Sequence, residues 1–280
     1  MIAGGAAAHS DHGRSVAEVF LSAARKETDA YKIKDPRKLL EVAQWLGVDT
    51  TVEVDGKQLD RDTDEIAVEV GEKALNEWGK AEGELLFAKR APEARYKLWK
   101  DRGVVPRNID REIVEIMHRT HIGVDQDYKN LMKQGTRAAI ADGWGGSMLA
   151  TELQDILFGT PYPVASEANL GVMKEDMVNI VIHGHEPVLS EMIVAVAQTK
   201  EMEDYAKSKG AKGIQLSGIC CTANEMLQRH GVPLCGTFLQ QELAIITGAC
   251  DAMVVDIQCI FQNLATVAKC FHTKLITTHP

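Results

Sequence analysis

Apolar and polar residues follow two different patterns along this chain. In the first part, apolar residues recur at helical spacing over 14–31, 36–46, 63–78, 83–100, 111–120, 128–142 and 147–158. In the second part, compact β-rich runs at 177–182 (MVNIVI), 214–216 and 252–257 (AMVVDI) are each followed by a helix-like segment. Strands that alternate with helices predict a parallel sheet. We therefore predict an α+α/β chain, with a helical domain over 1–172 and a Rossmann-like parallel α/β domain over 173–280.

Two shorter stretches complete this pattern. Residues 51–62 are polar and are predicted to be a connector, and residues 159–171 (GTPYPVASEANLG) read as the connection between the domains. The helix predicted after the last β-rich run covers 260–269. No internal repeat is visible, and neither a GxGxxG motif nor a phosphate-binding loop indicates a nucleotide cofactor.

Histidine and cysteine residues follow the three predicted strands. His183 and His185 follow the first strand, Cys220 and Cys221 the second, and Cys259 the third. Ligands of open α/β sheets bind beyond the carboxyl ends of the strands, so these side chains are expected at one edge. Imidazole and thiolate together suit a transition-metal or iron–sulfur site. The alternative is that the cysteines are small buried residues, and strand alternation alone does not distinguish His183 from His185.

Two details of this region yield further expectations. Cys220 and Cys221 come just before a predicted helix, whose dipole is expected to stabilise their thiolates. The other cysteines, Cys235, Cys250 and Cys270, have apolar neighbours in the sequence and are expected in the core.

Near the start of the chain, His9 and His12 are spaced three apart. Their rings share one face if the following helix already includes them, and a surface or capping pair is the alternative. His118 and His121 have the same spacing, and we expect a structural or surface role for them.

Several long motifs closely resemble the catalytic subunit of anaerobic nickel-containing carbon monoxide dehydrogenases. They are AAAHSDHGR (6–14), EIMHRTHIGVD (115–125), ILFGTPYPVASEANLGV (156–172), HGHEPVLSE (183–191), GICCTANEMLQRHG (218–231) and QQELAIITGACDAMVVDIQC (240–259). The resemblance runs nearly from end to end. It implies oxidation of CO by water to CO2 at a Ni-Fe-S cluster, with electrons passed to a ferredoxin-like acceptor by a homodimer.

The same resemblance assigns roles to individual residues. His185 and Cys221 would hold the iron outside the cubane, and Cys259 would bind a cubane iron. His9 matches the histidine that approaches the substrate, and His12 matches the next member of a proton path. The family often continues this path with further histidines, but Ser15 and Glu18 occupy those positions here, which makes an efficient histidine relay doubtful.

The chain also departs from the family in its cysteines. The family's 4Fe-4S motifs upstream of the His-x-x-His segment, and its further cluster cysteines downstream, have no counterpart in these 280 residues. We therefore expect a central fragment that cannot complete a cluster alone. The alternatives are a non-catalytic paralogue or partner subunit, a related hybrid-cluster protein, and a doubly wound enzyme with an organic cofactor. The HGHEP and GICC motifs argue against the second, and the missing phosphate loop argues against the third.

Composition narrows the class of protein. The net charge of −9 argues against a nucleic-acid surface, and no apolar run is long enough for a membrane span. The first residues lack the basic start and apolar core of a signal peptide. Six cysteines in 280 residues are too few for a disulfide scaffold, so we expect a cytoplasmic location.

Overall fold

The structure is a computed structural model that describes residues 2–278, with side chains described from Ser10 onward. It divides into two compact units, Met1–Thr160 (unit 1) and Pro161–Pro280 (unit 2). Unit 1 is helical apart from one small hairpin, and unit 2 contains a parallel sheet with helices. The expected combination of helices with a parallel sheet is therefore confirmed. Among the described residues, no helix is long and apolar enough to cross a membrane.

Unit 1 is built around its first helix, which packs against α3, α7 and a π-helical segment. Asp35 caps α2, accepting a hydrogen bond from the Lys38 backbone N–H, and Pro36 occupies the first turn. The elements are α1 (Ile2–Ala24), α2 (Pro36–Leu46), β1 (Thr51–Val54), β2 (Lys57–Asp60), α3 (Thr63–Gly79), α4 (Glu93–Arg102), α5 (Ile109–Arg119), α6 (Tyr128–Ile140), the π-helical segment (Ala141–Leu149) and α7 (Ala150–Phe158).

Large apolar side chains fill the interior of unit 1. Amphipathic helices place one face inward, and this burial is the main source of their stability. The fully buried large residues include Phe20, Leu39, Leu46, Ile66, Trp78, Phe87, Ile109, Leu149, Leu153 and Leu157.

Unit 2 has a five-stranded parallel sheet with the strand order β5-β4-β3-β6-β7. The chain order reverses beside β3, so the carboxyl ends of β3 and β6 form the topological switch point, where doubly wound folds bind ligands. The elements are β3 (Val178–Gly184), α8 (Pro187–Ala197), α9 (Lys200–Ser208), β4 (Ile214–Ile219), α10 (Cys220–His230), β5 (Leu234–Gly236), α11 (Gln241–Ile246), β6 (Ala252–Val255), α12 (Leu264–Ala268) and β7 (Lys274–Thr277).

Both faces of this sheet are covered by apolar side chains. One face packs Val181, Ile219, Met253 and Val255 against α11 and α12, while the other packs Ile182 and Leu216 with α10. Strands buried on both faces read as continuous apolar runs, which is why the sequence pattern revealed them.

Several of the predicted elements differ from the observed ones. The helix expected over 14–31 begins earlier, at Ile2, and ends at Ala24. The helix expected over 83–100 is a short 3-10 turn (Leu86–Arg90) and α4, separated at Pro92 because proline interrupts a helix. The connector expected over 51–62 contains the β1–β2 hairpin. The helix expected over 260–269 is restricted to Leu264–Ala268.

Candidate metal centre

The side chains that the sequence singled out in unit 2 lie at the carboxyl edge of the sheet. His183 pairs in register with Ile219 of β4 and with Val255 of β6. One residue later, Gly184 forms a bridge with Cys220, so the turn that carries His185 lies beside the start of α10. Cys259 follows β6 in the loop at the same edge. The structure thus brings three segments to the carboxyl edge of the sheet: the turn that carries His185, the first turn of α10 with Cys221, and the loop with Cys259.

The Asp256 carboxylate joins the His185 turn to the loop after β6. It accepts hydrogen bonds from the backbone N–H groups of His185 (2.6 Å) and Glu186 (3.0 Å), and also from that of Ile257. Gly184 makes this approach possible, because a Cβ there would collide with the Asp256 carboxylate. The φ of Gly184 is +139°, which also favours glycine.

Gln241, the first residue of α11, makes a second set of hydrogen bonds between these segments, called the Gln241 brace below. Its amide N–H groups donate to the carbonyls of Phe238 (2.6 Å) and Cys259 (2.9 Å). Its Oε1 accepts from the Phe261 backbone N–H (2.8 Å) and from His183 Nε2 (2.9 Å). All four hydrogen-bonding positions of this buried amide are therefore used.

The Gln241 contacts distinguish the two candidate histidines. His183 is fully buried at the end of β3, and burial lowers the pKa of its imidazole, so the neutral form is favoured. Its Nε2 donates to Gln241, which gives His183 a structural part in holding the Cys259 loop. His185 lies beyond the strand and is half-buried. Its role as a metal ligand stays a prediction from the motif match.

Three thiols line a cavity of about 270 Å³ at this edge. Cys220, Cys221 and Cys259 contribute to its wall, together with Asn224 and Phe238. Cys220, Gln258 and Cys259 have φ values of +70°, +63° and +56°, a conformation that residues with a Cβ rarely adopt. Such backbone strain concentrates at functional sites.

The expectation that the helix dipole stabilises the thiolates is wrong for the metal-free chain. Burial raises the pKa of Cys220 to about 12, with further contributions from the Cys259 and Cys221 thiols. Burial and the nearby Cys259 thiol also raise the pKa of Cys221. Desolvation and like charges outweigh the dipole here because each ionised thiol would lie beside another.

The side chains at this edge are of the chemical types that bind iron or nickel, but they do not form a complete set of ligands. Soft thiolates and an imidazole are the donors that such metals prefer. Among the described side chains, however, no group of three or more His, Cys, Asp or Glu residues is placed to hold a metal ion. The described part of the chain therefore presents a partial ligand set.

The proposed proton-carrying histidines belong to α1. This helix begins before His9 and includes both histidines, which is the condition under which a spacing of three residues places them on one face. The His9 side chain lies outside the described residues, and His12 is half-buried. Between them, Ser10 Oγ donates to Asp110 (2.8 Å), and the Ser10 carbonyl accepts from the Trp78 indole (2.9 Å). These two bonds fix the turn of α1 that carries His12.

The remaining sequence-selected residues separate into core and surface. Cys235 and Cys250 are fully buried, as expected. Cys270 is exposed, so the expectation of a core position is wrong: it follows the end of the short α12, where apolar neighbours in sequence do not surround it in space. His118 and His121 are both exposed, in line with a surface role.

The model of the Prismane/CO dehydrogenase family matches residues 1–280. The chain belongs to this family. Carbon monoxide dehydrogenase 1 of Methanosarcina acetivorans is 53% identical over 280 residues, which are 100% of this chain and 43% of that protein. The family assignment thus covers the whole chain, while the chain spans well under half the length of this relative.

Solved structures of the same family share the fold. A nickel-free carbon monoxide dehydrogenase from Thermococcus sp. AM4, produced without the CooC maturase, has a TM-score of 0.88 and 53% identity, over 100% of this chain and 43% of that one. An acetyl-CoA synthase/carbon monoxide dehydrogenase, described with NiZn[Fe4S4] and NiNi[Fe4S4] clusters in its alpha subunits, has a TM-score of 0.86 and 48% identity, over 99% of this chain and 40% of that one.

Proposed function

We propose that this chain is part of a carbon monoxide dehydrogenase. The reaction is oxidation of CO by water to CO2, with release of two protons and two electrons to a ferredoxin-like acceptor, and the functional state is a homodimer. The observation that carries the proposal is the meeting of the His185, Cys221 and Cys259 segments at the switch point of a family member. The alternative of a non-catalytic paralogue predicts the same fold without nickel.

Within this proposal, the residues of unit 2 hold part of a Ni-Fe-S cluster. His185 and Cys221 would hold one iron of the cluster, and Cys259 would hold another. The cluster, when bound, supplies the redox chemistry and the site at which CO and water react. Because the described donors do not form a complete ligand set, the proposal requires further ligands besides these three.

The protein's own part is to bind the cluster and to move protons. The site releases two protons for each CO, and imidazoles titrate near neutral pH, which suits them to a relay. We assign this relay to His9 and His12 on α1. Ser10 and Trp78 hold that turn of the helix in a fixed position, so the relay begins from a rigid element.

The test uses the natural full-length polypeptide, produced anaerobically with nickel. We expect CO-dependent reduction of a viologen dye, and loss of nearly all of it in Cys259→Ser and Cys221→Ser. Cys270→Ser is the matched control and should keep wild-type activity, because this exposed thiol lies apart from the site. Full activity in Cys259→Ser would contradict the ligand assignment. A nickel-free, inactive wild-type protein would favour the non-catalytic alternative.

A further inference from the structure

We propose that Gln241 and Asp256 are positioning residues that hold the Cys259 loop and the His185 turn in their metal-binding conformation before any metal arrives. Neither residue is a candidate ligand by the motif match, and each contacts the backbone of a segment that carries one. The inference rests on the proposed ligand roles of Cys259 and His185, and it does not depend on CO oxidation.

The Cys259 loop needs an external support because its backbone is strained. Gln258 and Cys259 are consecutive and both adopt left-handed φ values, +63° and +56°. Residues with a Cβ keep such conformations only where the surroundings fix them. The Gln241 amide does so by binding the loop at two points, the Cys259 carbonyl and the Phe261 N–H, on either side of Ile260.

The support is itself rigid. Gln241 is fully buried, and its other two hydrogen bonds go to the Phe238 carbonyl and to His183 at the end of β3. An amide with every hydrogen-bonding position used has one orientation, since turning it over would oppose donors to donors and acceptors to acceptors. The Cys259 loop is thereby tied to the strand that leads to His185.

Asp256 provides the second connection between the same two segments. It lies directly after β6 and receives the N–H groups of His185 and Glu186 at the start of α8. A carboxylate that accepts several backbone N–H groups makes strong, charge-assisted bonds. The two braces therefore join the His185 turn and the Cys259 loop through protein contacts alone.

Hydrogen exchange on the 280-residue chain tests the conformational half of the proposal. Gln241→Leu keeps the side-chain volume and removes all four hydrogen bonds. We expect the Phe261 amide and the 257–263 segment to exchange at least about tenfold faster than in the parent chain, because the loop loses its hydrogen bonds to the Gln241 side chain. Exchange in β3 and β6 should be unchanged. Gln262→Ala, an exposed glutamine of the same loop, is the matched control and should leave exchange unchanged.

Cadmium binding tests the positioning half. In a Cys270→Ser background, Cys221 and Cys259 are the exposed thiols of the described residues, and Cd²⁺ added alone reports on them through the thiolate–cadmium ultraviolet absorption. We expect Gln241→Leu to weaken Cd²⁺ binding at least about tenfold, because a released loop must be ordered on binding. Gln262→Ala should bind as the parent chain does.

Each outcome decides the proposal. Unchanged exchange at Phe261, or unchanged Cd²⁺ affinity despite a loosened loop, would overturn it. If alkylation shows that the buried Cys235 and Cys250 thiols have become reactive, Gln241→Leu has unfolded unit 2. Asp256→Asn then decides, since it must speed exchange at the His185 and Glu186 amides and weaken Cd²⁺ binding. If the 280-residue chain passes these tests but the natural full-length polypeptide does not oxidise CO, only the proposed function is contradicted.

Discussion

The contact between Gly13 and Gly146 gives a sharp prediction about the helix that carries His12. A Cβ added at Gly13 would lie 2.9 Å from Trp78 Cζ2 and 3.1 Å from the carbonyl carbon of Gly146, and closer still to its oxygen. Ordinary van der Waals contact begins near 3.4 Å, and the obstacle is partly backbone. Gly13→Ala must therefore push α1 and the π-helical segment apart, or shift the Trp78 ring.

The magnitude follows from two opposing effects. Replacing glycine by alanine inside a helix gains up to about 1 kcal/mol, while overpacking a tight interior costs about 1–3 kcal/mol and more where backbone resists. We expect a net loss of about 2 kcal/mol of unfolding free energy, which lowers the urea midpoint by about 1 M for an m value near 2 kcal/mol/M. Gly135→Ala, on α6 with nothing within 4 Å of the added Cβ, is the control and should be stabilising.

Tryptophan fluorescence during urea unfolding is the assay. All four tryptophans, Trp45, Trp78, Trp99 and Trp144, belong to unit 1, so the signal follows that unit. The prediction is a lowered midpoint for Gly13→Ala and a raised one for Gly135→Ala. If Gly13→Ala matched or exceeded the wild-type midpoint, the close approach of α1 to the π-helical segment would be refuted.

Three further predictions concern single groups. Gly184→Ala places a Cβ against the Asp256 carboxylate at a left-handed φ, and should cost about 2–4 kcal/mol, measured by urea-dependent exposure of the buried thiols of unit 2; a loss below about 0.5 kcal/mol would contradict it. Burial alone would raise the pKa of Glu112, but its bonds with Arg107 and Gln134 outweigh burial and lower it. The stability from Glu112 is thus present above its unfolded pKa of about 4.3 and is lost as pH falls through the lower folded pKa. Glu112→Gln should therefore flatten the loss of urea midpoint between about pH 6 and pH 3, and an unchanged slope would count against this reasoning. The pKa of about 12 predicts that alkylation of Cys220 in the metal-free chain speeds up about tenfold per pH unit to about pH 10, whereas a plateau near pH 9 would mean an unperturbed thiol.

The sheet, and the edge that carries His185, Cys221 and Cys259, could be predicted because their signals are local. The runs at 177–182 and 252–257 are apolar enough to mark buried strands, and residues that follow parallel strands necessarily share an edge. The assignment of His185, Cys221 and Cys259 as ligands came from the motif match and stays a prediction. The predicted domain boundary after residue 172 also stays a prediction.

The β1–β2 hairpin, the Gln241 brace and the raised pKa of Cys220 were not predicted from the sequence. The β1–β2 hairpin is almost wholly exposed and lies in a mostly polar stretch, so it shows no buried apolar run. Its signals were the short alternation of Val52 and Val54 with polar residues and the Asp55-Gly56 turn, where both residues have positive φ. The Gln241 brace joins residues that lie 18, 20 and 58 positions away, a pattern that no spacing rule detects. The raised pKa of Cys220 depends on burial and on groups that follow two different strands, Cys221 after β4 and Cys259 and Asp256 after β6. A helix-dipole argument that considers only the segment after β4 leaves these contributions out.

The proposed function depends on His185, Cys221 and Cys259 binding the metals of a carbon monoxide dehydrogenase. The most direct test is anomalous X-ray diffraction at the iron and nickel edges from crystals of the natural full-length polypeptide, grown anaerobically. We expect an iron peak within bonding distance of both His185 and Cys221, a second iron peak beside Cys259, and a nickel peak in the same cluster. Iron and nickel peaks elsewhere in the protein, with these three side chains unligated, would contradict it.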